Sequence, residues 1–314
     1  MTAVATRPGS GPARTVCPVS PVLAVETSGL GKDFGSTCAL AELDLKIEAG
    51  TIFGLLGPNG AGKTTMIRLL LDLIRPTSGS AKVFGLDVAG ASVEIRRRCG
   101  YLPGDLRLPK NRTARQLLGH LVRLRGDVEW QRVLDLSARL GLDLDRKVGE
   151  QSKGNRQKVG LVAAFMSDPE LVILDEPASG LDPIRQQDVR DLMREAAAEG
   201  STVLLSSHDL DQVEHVADQV GIIREGFLVA HEDVSSLLSR AVREVNVQFE
   251  GPHPQLSGLP GVEVVETGPG TVRLRVAGPM DQLVKALAKT EVISLTSSTP
   301  ELDEVFLSYY EVKK

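Results

Sequence analysis

One stretch, residues 57–65, constrains the fold of this chain more than any other. It reads Gly-Pro-Asn-Gly-Ala-Gly-Lys-Thr-Thr and fits the pattern G-x-x-x-x-G-K-[ST]. A short apolar run precedes it and apolar residues at helical spacing follow, which indicates a buried strand, a glycine-rich loop and a helix. The backbone N–H groups of such a loop and the positive end of the helix dipole attract phosphate oxygens. The stretch therefore predicts a nucleotide phosphate site, and the alternative is a chance glycine-rich turn.

Each residue of this loop is a candidate nucleotide contact. Lys63 would place a positive charge at the β- and γ-phosphates, and the hydroxyl of Thr64 is a candidate Mg²⁺ ligand. The following helix is predicted to run through Leu73 and to end before Pro76. The candidate phosphate contacts are Gly57, Pro58, Asn59, Gly60, Ala61, Gly62, Lys63, Thr64 and Thr65.

Composition narrows the class of protein. At 314 residues the chain is long enough for about two domains. No apolar run approaches the roughly 18 residues that a membrane-spanning helix needs, so the chain is not expected to cross a bilayer alone. A net charge of -5 argues against non-specific binding to nucleic acid, and no nucleic-acid partner is expected. Three cysteines without C-x-x-C spacing indicate neither a zinc site nor a disulfide framework.

Two carboxylates follow a second apolar run, residues 171–174. In parallel α/β sheets, ligands bind beyond the carboxyl ends of the strands, so Asp175 and Glu176 are expected to face the phosphates. Asp175 would hold Mg²⁺ through water, and Glu176 would orient or deprotonate an attacking water. The alternative is a solvated acidic turn. His208 ends a similar run, and although a single histidine is more often structural, its position matches that of the carboxylates.

The order of patterns predicts three regions. Residues 1–20 are expected to form a disordered tail, residues 21–240 an α/β unit with a helical part at about 105–165, and residues 241–314 a small α+β domain. In the helical part, Leu117, Leu118, Leu121, Val122 and Leu124 are predicted to share one apolar face. The last domain is predicted to contain four strands and two helices, the second at about 300–310.

Taken together, these motifs resemble the nucleotide-binding subunit of an ATP-binding-cassette (ABC) transporter over about residues 22–230. The resemblance implies a P-loop NTPase cassette with a mixed sheet and a helical subdomain, and it implies ATP and Mg²⁺ as cofactors. Glu176, His208 and Lys63 would be catalytic, with Thr64 and Asp175 at the metal. Phe34, which spacing alone favours as a core residue, would instead stack on adenine. Further nucleotide contacts are implied at Ser152 and Gly154 of the signature motif and at Asp182 of the D-loop.

The chain departs from this family at two places. In the signature motif, Lys153 stands where the family has a glycine, Gln151 replaces a leucine, and Asn155 replaces a glutamine. Farther upstream, Gly104 and then Asp105 occupy the position of a glutamine that meets Mg²⁺ and signals to the membrane subunit. The γ-phosphate contacts are expected to survive the first change, whereas the second puts the usual coupling link in doubt.

Residues 242–314 are similar, more loosely, to the C-terminal domain of ABC-2-type drug and antibiotic exporters. The function so implied is ATP hydrolysis that powers export of a hydrophobic drug, antibiotic or lipid-like substrate. The implied partners are a separate transmembrane permease and a second cassette in a homodimer, at the cytoplasmic face of the membrane. The alternative function is a soluble ABC ATPase acting on ribosomes or nucleic acid. Ribosome-acting relatives carry tandem cassettes, however, and only one phosphate loop occurs here.

Overall fold

A computed structural model describes residues 22–240, 242–256 and 258–297 of this chain. The predicted tail at 1–20 and the predicted last helix at 300–310 lie outside these residues. In the first half of the chain the elements are, in order, β1 (Leu23–Phe34), β2 (Thr37–Glu48), β3 (Ile52–Leu56), α1 (Lys63–Leu70), β4 (Ser78–Val83), β5 (Leu86–Asp87), α2 (Val88–Arg98), β6 (Cys99–Leu102), α3 (Ala114–Arg125) and α4 (Trp130–Leu140).

A short 3-10 turn at Val148–Glu150 leads into the second half of the chain. Its elements are α5 (Lys153–Phe165), β7 (Leu171–Asp175), α6 (Pro183–Ala198), β8 (Thr202–Ser207), α7 (Leu210–Glu214), β9 (Gln219–Arg224), β10 (Phe227–Asp233), α8 (Val234–Arg240), β11 (Val242–Glu250), β12 (Val262–Gly268), β13 (Thr271–Ala277), α9 (Asp281–Leu287) and β14 (Glu291–Ser297). None of the helices in the described ranges is long and apolar enough to span a membrane.

The central sheet has six strands in the order β10-β9-β3-β8-β7-β6. All neighbours are parallel except β9 and β10, which form the predicted antiparallel hairpin, so the sheet is mixed. This agrees with the expected P-loop NTPase cassette. Because β3, β8 and β7 lie side by side in that order and run parallel, the phosphate loop, the two carboxylates and His208 all follow the strands at the same edge of the sheet.

Both faces of the central sheet are covered. Along β7, Val172 and Leu174 face a core shared with α3 to α6, while Ile173 faces a core shared with α1, β1 and β2. Alternate residues of a strand point to opposite faces, and burial on both sides explains why the strand is apolar throughout. The second core also contains a four-stranded antiparallel sheet in the order β2-β1-β4-β5.

Helix α1 ends earlier than its apolar pattern predicts. It stops at Leu70, and Asp72 adopts a left-handed conformation with φ of 53°. The N–H of Leu73 then donates to the carbonyl of Arg68 at 2.9 Å, and the Leu73 side chain is 51% exposed. The prediction that the helix continues through Leu73 was therefore wrong, because a left-handed residue terminates a helix even where the apolar spacing persists.

Between residues 105 and 165 the structure has the helices α3, α4 and α5, and the predicted apolar face of α3 is only partly buried. A capping box between Thr113 and Gln116 starts α3, and Gly126, in the left-handed conformation, ends it. Leu118 is fully buried, but Leu121 is 36% exposed and Leu124 is 68% exposed. Leucine spacing therefore predicted the helix correctly but overestimated how much of its apolar face is buried.

Strands β11 to β14 form a third sheet in the order β12-β13-β11-β14, which α9 covers on one face. Its core contains Val245, Val247, Leu274 and Leu283 and shares no residue with the other two cores. These four strands agree with the four predicted for this part of the chain. Helix α2 was not predicted, since Ile95 and Val88 are its only buried apolar side chains.

Candidate nucleotide-binding site

A cavity of about 410 Å³ opens at the carboxyl edge of the central sheet. Most of the residues singled out from sequence for phosphate, metal and catalysis meet there. Its lining consists of Pro58, Asn59, Gly60, Gly62, Lys63, Thr64, Thr65, Arg68, Gly104, Asp105, Asp175, Glu176, Ser179 and His208.

The phosphate loop needs its glycines for two physical reasons. Gly57 and Gly62 have φ values of 155° and 117°, which side-chain-bearing residues rarely adopt. A Cβ on Gly57 would lie 2.3 Å from the carbonyl oxygen of Ile223, and one on Gly62 would lie 2.7 Å from that of Ala39. The loop is therefore wedged against β9 and β2, so Gly57 and the buried Ala61 shape the loop from behind rather than line the cavity.

Lys63 begins α1 and lies across the loop. Its Nζ donates to the carbonyl of Gly57 and, at 3.2 Å, to the carbonyl of Pro58. Burial lowers the pKa of Lys63 from its usual range, and the charges of Glu176 and Asp175 oppose that shift. An ammonium group held by neutral carbonyls beside two carboxylates is placed to meet an incoming polyphosphate.

Asp175 links the phosphate loop to the carboxyl edge of the central sheet. It is 2% exposed, and its Oδ2 accepts a hydrogen bond from Thr64 Oγ1 at 2.8 Å. Its Oδ1 accepts from the hydroxyl of Ser206, the register partner of Asp175 on β8. These contacts satisfy both oxygens of a buried carboxylate and fix its orientation.

The oxygens of Thr64 and Asp175 suit a magnesium ion. Mg²⁺ takes oxygen ligands and is commonly held by one or two carboxylates together with substrate phosphates. Among the described residues no cluster of three or more His, Cys, Asp or Glu could hold a metal on its own. The hydroxyl and carboxylate present therefore fit an ion that a nucleotide helps to hold.

Glu176 and His208 form a hydrogen-bonded pair at the mouth of the cavity. His208 Nδ1 lies 2.8 Å from Glu176 Oε1, and the Glu176 side chain is 22% exposed. Glu176 has a φ of 54°, an unusual conformation for a residue with a side chain. Its N–H donates to the carbonyl of Ser206 at 3.1 Å. The alternative of a solvated acidic turn is therefore wrong, because Asp175 is buried and Glu176 is partnered.

The four nucleotide contacts predicted outside the phosphate loop also lie outside the cavity lining. Phe34 is 51% exposed at the end of β1, with Lys32 Nζ 5.1 Å from its ring centroid, so the core interpretation from spacing is wrong. Ser152 caps α5 by accepting from the N–H of Asn155, and Asp182 caps α6 by accepting from the N–H of Arg185. Gly154 lies in the first turn of α5, where a Cβ would lie 2.3 Å from the carbonyl oxygen of Gly180.

The structure also brings in residues that the sequence analysis missed. Ser206 holds Asp175, Gln157 donates to the carbonyl of Glu176 at 3.1 Å, and Arg68 and Ser179 line the cavity. A polar serine directly after the apolar run 203–205 was the signal for Ser206. The other three lie on helices or in a loop, where no local pattern marks them.

Gly104 lies directly against the buried carboxylate. A Cβ at this position would lie 3.1 Å from Asp175 Oδ2. The neighbouring Asp105 instead accepts from Arg107, with Arg107 Nε 2.9 Å from Asp105 Oδ2, and its side chain is 67% exposed. Asp105 therefore lies at the rim of the cavity, in an exposed ion pair with Arg107.

Comparison with known proteins identifies the family. The model of the ABC transporter family matches residues 40–179. The chain is 36% identical to the daunorubicin/doxorubicin resistance ATP-binding protein DrrA of Streptomyces peucetius, over 92% of both chains. This chain belongs to the ABC transporter ATP-binding proteins. It therefore binds and hydrolyses ATP as the ATPase subunit of a transport system.

Further relatives agree with this assignment. The bacitracin transport ATP-binding protein BcrA of Bacillus licheniformis is 39% identical over 72% of this chain and 74% of its own length. A solved ATP-binding subunit of an ABC transporter is 29% identical and superimposes with a TM-score of 0.64, covering 68% of this chain and 91% of that one. A bacterial ABC cassette solved as a dimer shares the fold at 21% identity, with a TM-score of 0.61 over 67% of this chain and 98% of that one.

Proposed function

We propose that this ABC ATPase powers export of a hydrophobic drug, antibiotic or lipid-like substrate through a separate membrane permease. The observation that carries the proposal is its likeness, over 92% of both chains, to a protein named for resistance to daunorubicin and doxorubicin. The relative named for bacitracin transport supports the same class of substrate. The ATPase would act peripherally at the cytoplasmic face of the membrane, and no nucleic-acid partner is expected.

The cavity residues suggest how hydrolysis proceeds. Lys63 and the loop N–H groups would hold the β- and γ-phosphates, and the ring of Phe34 would stack on adenine. Glu176 would take a proton from water as the water oxygen bonds to the γ-phosphorus and the bond to the β-bridging oxygen breaks. The products are ADP and phosphate. His208, at 2.8 Å from Glu176, would hold that carboxylate toward the reacting water.

Mg²⁺ would be held beside Thr64 and Asp175, where it would neutralise charge on the phosphates. The buried carboxylate is fixed for this task by Ser206 and Thr64. Lys63 would remain charged next to bound phosphate, because the phosphates add to the favourable effect of Glu176 and Asp175 on its ammonium group.

Hydrolysis would require two copies of this chain. Ser152 and Gly154 lie at the N-terminus of α5, outside the cavity of their own chain, and would complete the nucleotide site of a partner. Asp182 would contribute from the start of α6. In the background of Glu176→Gln, which should retain ATP, Ser152→Arg should preserve binding of an ATP analogue but prevent dimer formation. Light scattering of the double variant decides this, and a dimer formed on ATP would refute the homodimer arrangement.

Co-purification with membranes tests the export proposal. A tagged chain with Glu176→Gln should bring down a polytopic membrane protein from detergent-solubilised membranes in stoichiometric amount. In the reconstituted pair, wild-type ATPase activity should rise on addition of daunorubicin or bacitracin as probes, and a Lys63→Ala variant supplies the inactive control. Co-sedimentation with ribosomes in place of a membrane protein would contradict the proposal and favour the soluble alternative.

A further inference from the structure

Helix α5 directs two side chains at the turn that carries Glu176. Lys153 and Gln157 are four residues apart and therefore lie on one face of the helix. Lys153 Nζ donates to Ser179 Oγ at 2.8 Å. Gln157 Nε2 donates to the carbonyls of Glu176, at 3.1 Å, and Pro177, at 3.3 Å. The helix thus holds the turn 176–179 at both ends.

The turn needs such support because of its backbone conformation. Glu176 has a φ of 54°, in a region that a residue with a Cβ occupies only when its surroundings impose it. The N–H of Ser179 closes the turn on the carbonyl of Glu176 at 3.2 Å, and the N–H of Glu176 is held by Ser206. A shift of Ser179 would therefore be transmitted to Glu176 through one backbone hydrogen bond.

Contact between α5 and this loop is also close. A Cβ on Gly154 would lie 2.3 Å from the carbonyl oxygen of Gly180, and one on Gly180 would lie 3.4 Å from Cδ of Lys153. The methylene stem of Lys153 thus crosses the loop just after Ser179. The first turn of α5 and the Glu176 loop have little freedom to move independently.

We propose that Lys153 is a positioning residue for ATP hydrolysis, which acts through Ser179 to hold the carboxylate of Glu176 in place. The inference rests on the proposed role of Glu176 as the general base. A glycine at position 153 would have no side chain to reach Ser179. The contact therefore requires a side chain with a hydrogen-bond donor at this position. Lys153 itself is solvent-exposed, and its removal leaves no buried group without a partner.

Steady-state kinetics of the full-length chain tests this role. Lys153→Met should lower kcat about 3- to 10-fold, the effect of losing one side-chain hydrogen bond, while KM for ATP stays within about twofold. Lys153→Arg, which keeps a charged donor, should retain most of the activity. Ser179→Ala should lower kcat to a similar extent, and the double variant should be no slower than the slower single variant, since both remove one interaction.

Lys147→Met is the matched control, because Lys147 is also exposed and lies just before the 3-10 turn that leads into α5. It should leave kcat unchanged, and thermal unfolding should give the same midpoint for all exposed-lysine variants. Wild-type kcat in Lys153→Met, multiplied losses in the double variant, or Lys153→Arg as slow as Lys153→Met would each overturn the inference. Glu176→Gln distinguishes a failure of this inference from a failure of the proposed function. If Glu176→Gln is inactive and Lys153→Met is fully active, only the role of Lys153 is refuted. If Glu176→Gln is fully active, the proposed general base is refuted, and this inference with it.

Discussion

Glu176 and His208 meet across the ends of two parallel strands, with Glu176 Oε1 2.8 Å from His208 Nδ1. They are 32 residues apart in the chain, and the pairing of β7 with β8 brings them together. Glu176 has an unusual backbone conformation, and its contact with His208 fixes the direction of its carboxylate at the mouth of the cavity.

This pair yields the first prediction. Glu176→Gln should lower the hydrolysis rate about 10²- to 10⁴-fold, because an amide cannot accept the proton of the attacking water. ATP binding should persist, since the phosphate-binding groups are untouched. His208→Ala should lower the hydrolysis rate less than Glu176→Gln does. The double variant should be no slower than Glu176→Gln alone, because the two residues act as a unit. Single-turnover rates measure this, and wild-type hydrolysis by Glu176→Gln would remove Glu176 from the mechanism.

A second prediction concerns the contact between Gly154 and Gly180. Gly154→Ala should destabilise the fold by about 1–3 kcal/mol, since the new Cβ would meet a backbone oxygen that cannot rotate away. Gly119→Ala in α3 is the matched control, because its Cβ would meet Trp130 at an ordinary 3.7 Å. That control should stabilise the helix by about 0.5–1 kcal/mol. Urea unfolding compares the two, and equal midpoints would show that the loop yields freely.

A third prediction concerns the metal requirement. Asp105→Ala should leave the Mg²⁺ concentration for half-maximal ATPase activity unchanged, because the Asp105 carboxylate pairs with Arg107 and a water can fill the space beside Gly104. The same titration with a fluorescent ATP analogue gives a measure that does not depend on turnover. A distinctly higher Mg²⁺ requirement in the variant would instead place Asp105 at the metal.

A fourth prediction uses the buried thiol of Cys99. Burial raises the pKa of Cys99 to about 12, against weaker opposing effects of Arg125 and Arg98. At pH 8 only about one such thiol in ten thousand is ionised, and the thiolate is the reactive form. Alkylation of the native protein, followed by peptide mass analysis, should leave Cys99 unmodified while the exposed Cys38 reacts. Rapid modification of Cys99 would mean that β6 opens readily.

The last prediction separates the C-terminal unit from the ATP site. A chain that ends at Arg240 should still fold and bind an ATP analogue, because the cavity lining ends at His208 and the third core shares no residue with the others. We expect the missing unit, proposed here as a separate domain at 241–314, to support contacts with the permease or the second cassette. Folding without nucleotide binding would count against that division.

The sequence by itself determined the elements whose signals are local. The phosphate loop is a strand, a glycine-rich turn and a helix that follow one another within about 20 residues, so their pattern predicts both the fold and the ligand. Likewise, Asp175 and Glu176 follow a run of four apolar residues, and that order is enough to place them at a strand end. The resemblance to ABC ATPases rests on the order of these local motifs.

Only the tertiary structure decided the partners and the exposure of these residues. Ser206 reaches Asp175 because β7 and β8 are paired in one register, and Lys153 reaches Ser179 because α5 packs on the loop after β7. Phe34 is exposed because it ends a hairpin strand, although an aromatic residue suggests a core. The end of α1 at Leu70 was also visible only in the structure, because it depends on the left-handed backbone conformation of Asp72. Strand register and helix packing bring together residues that are distant in sequence, and no local sequence pattern encodes either of them.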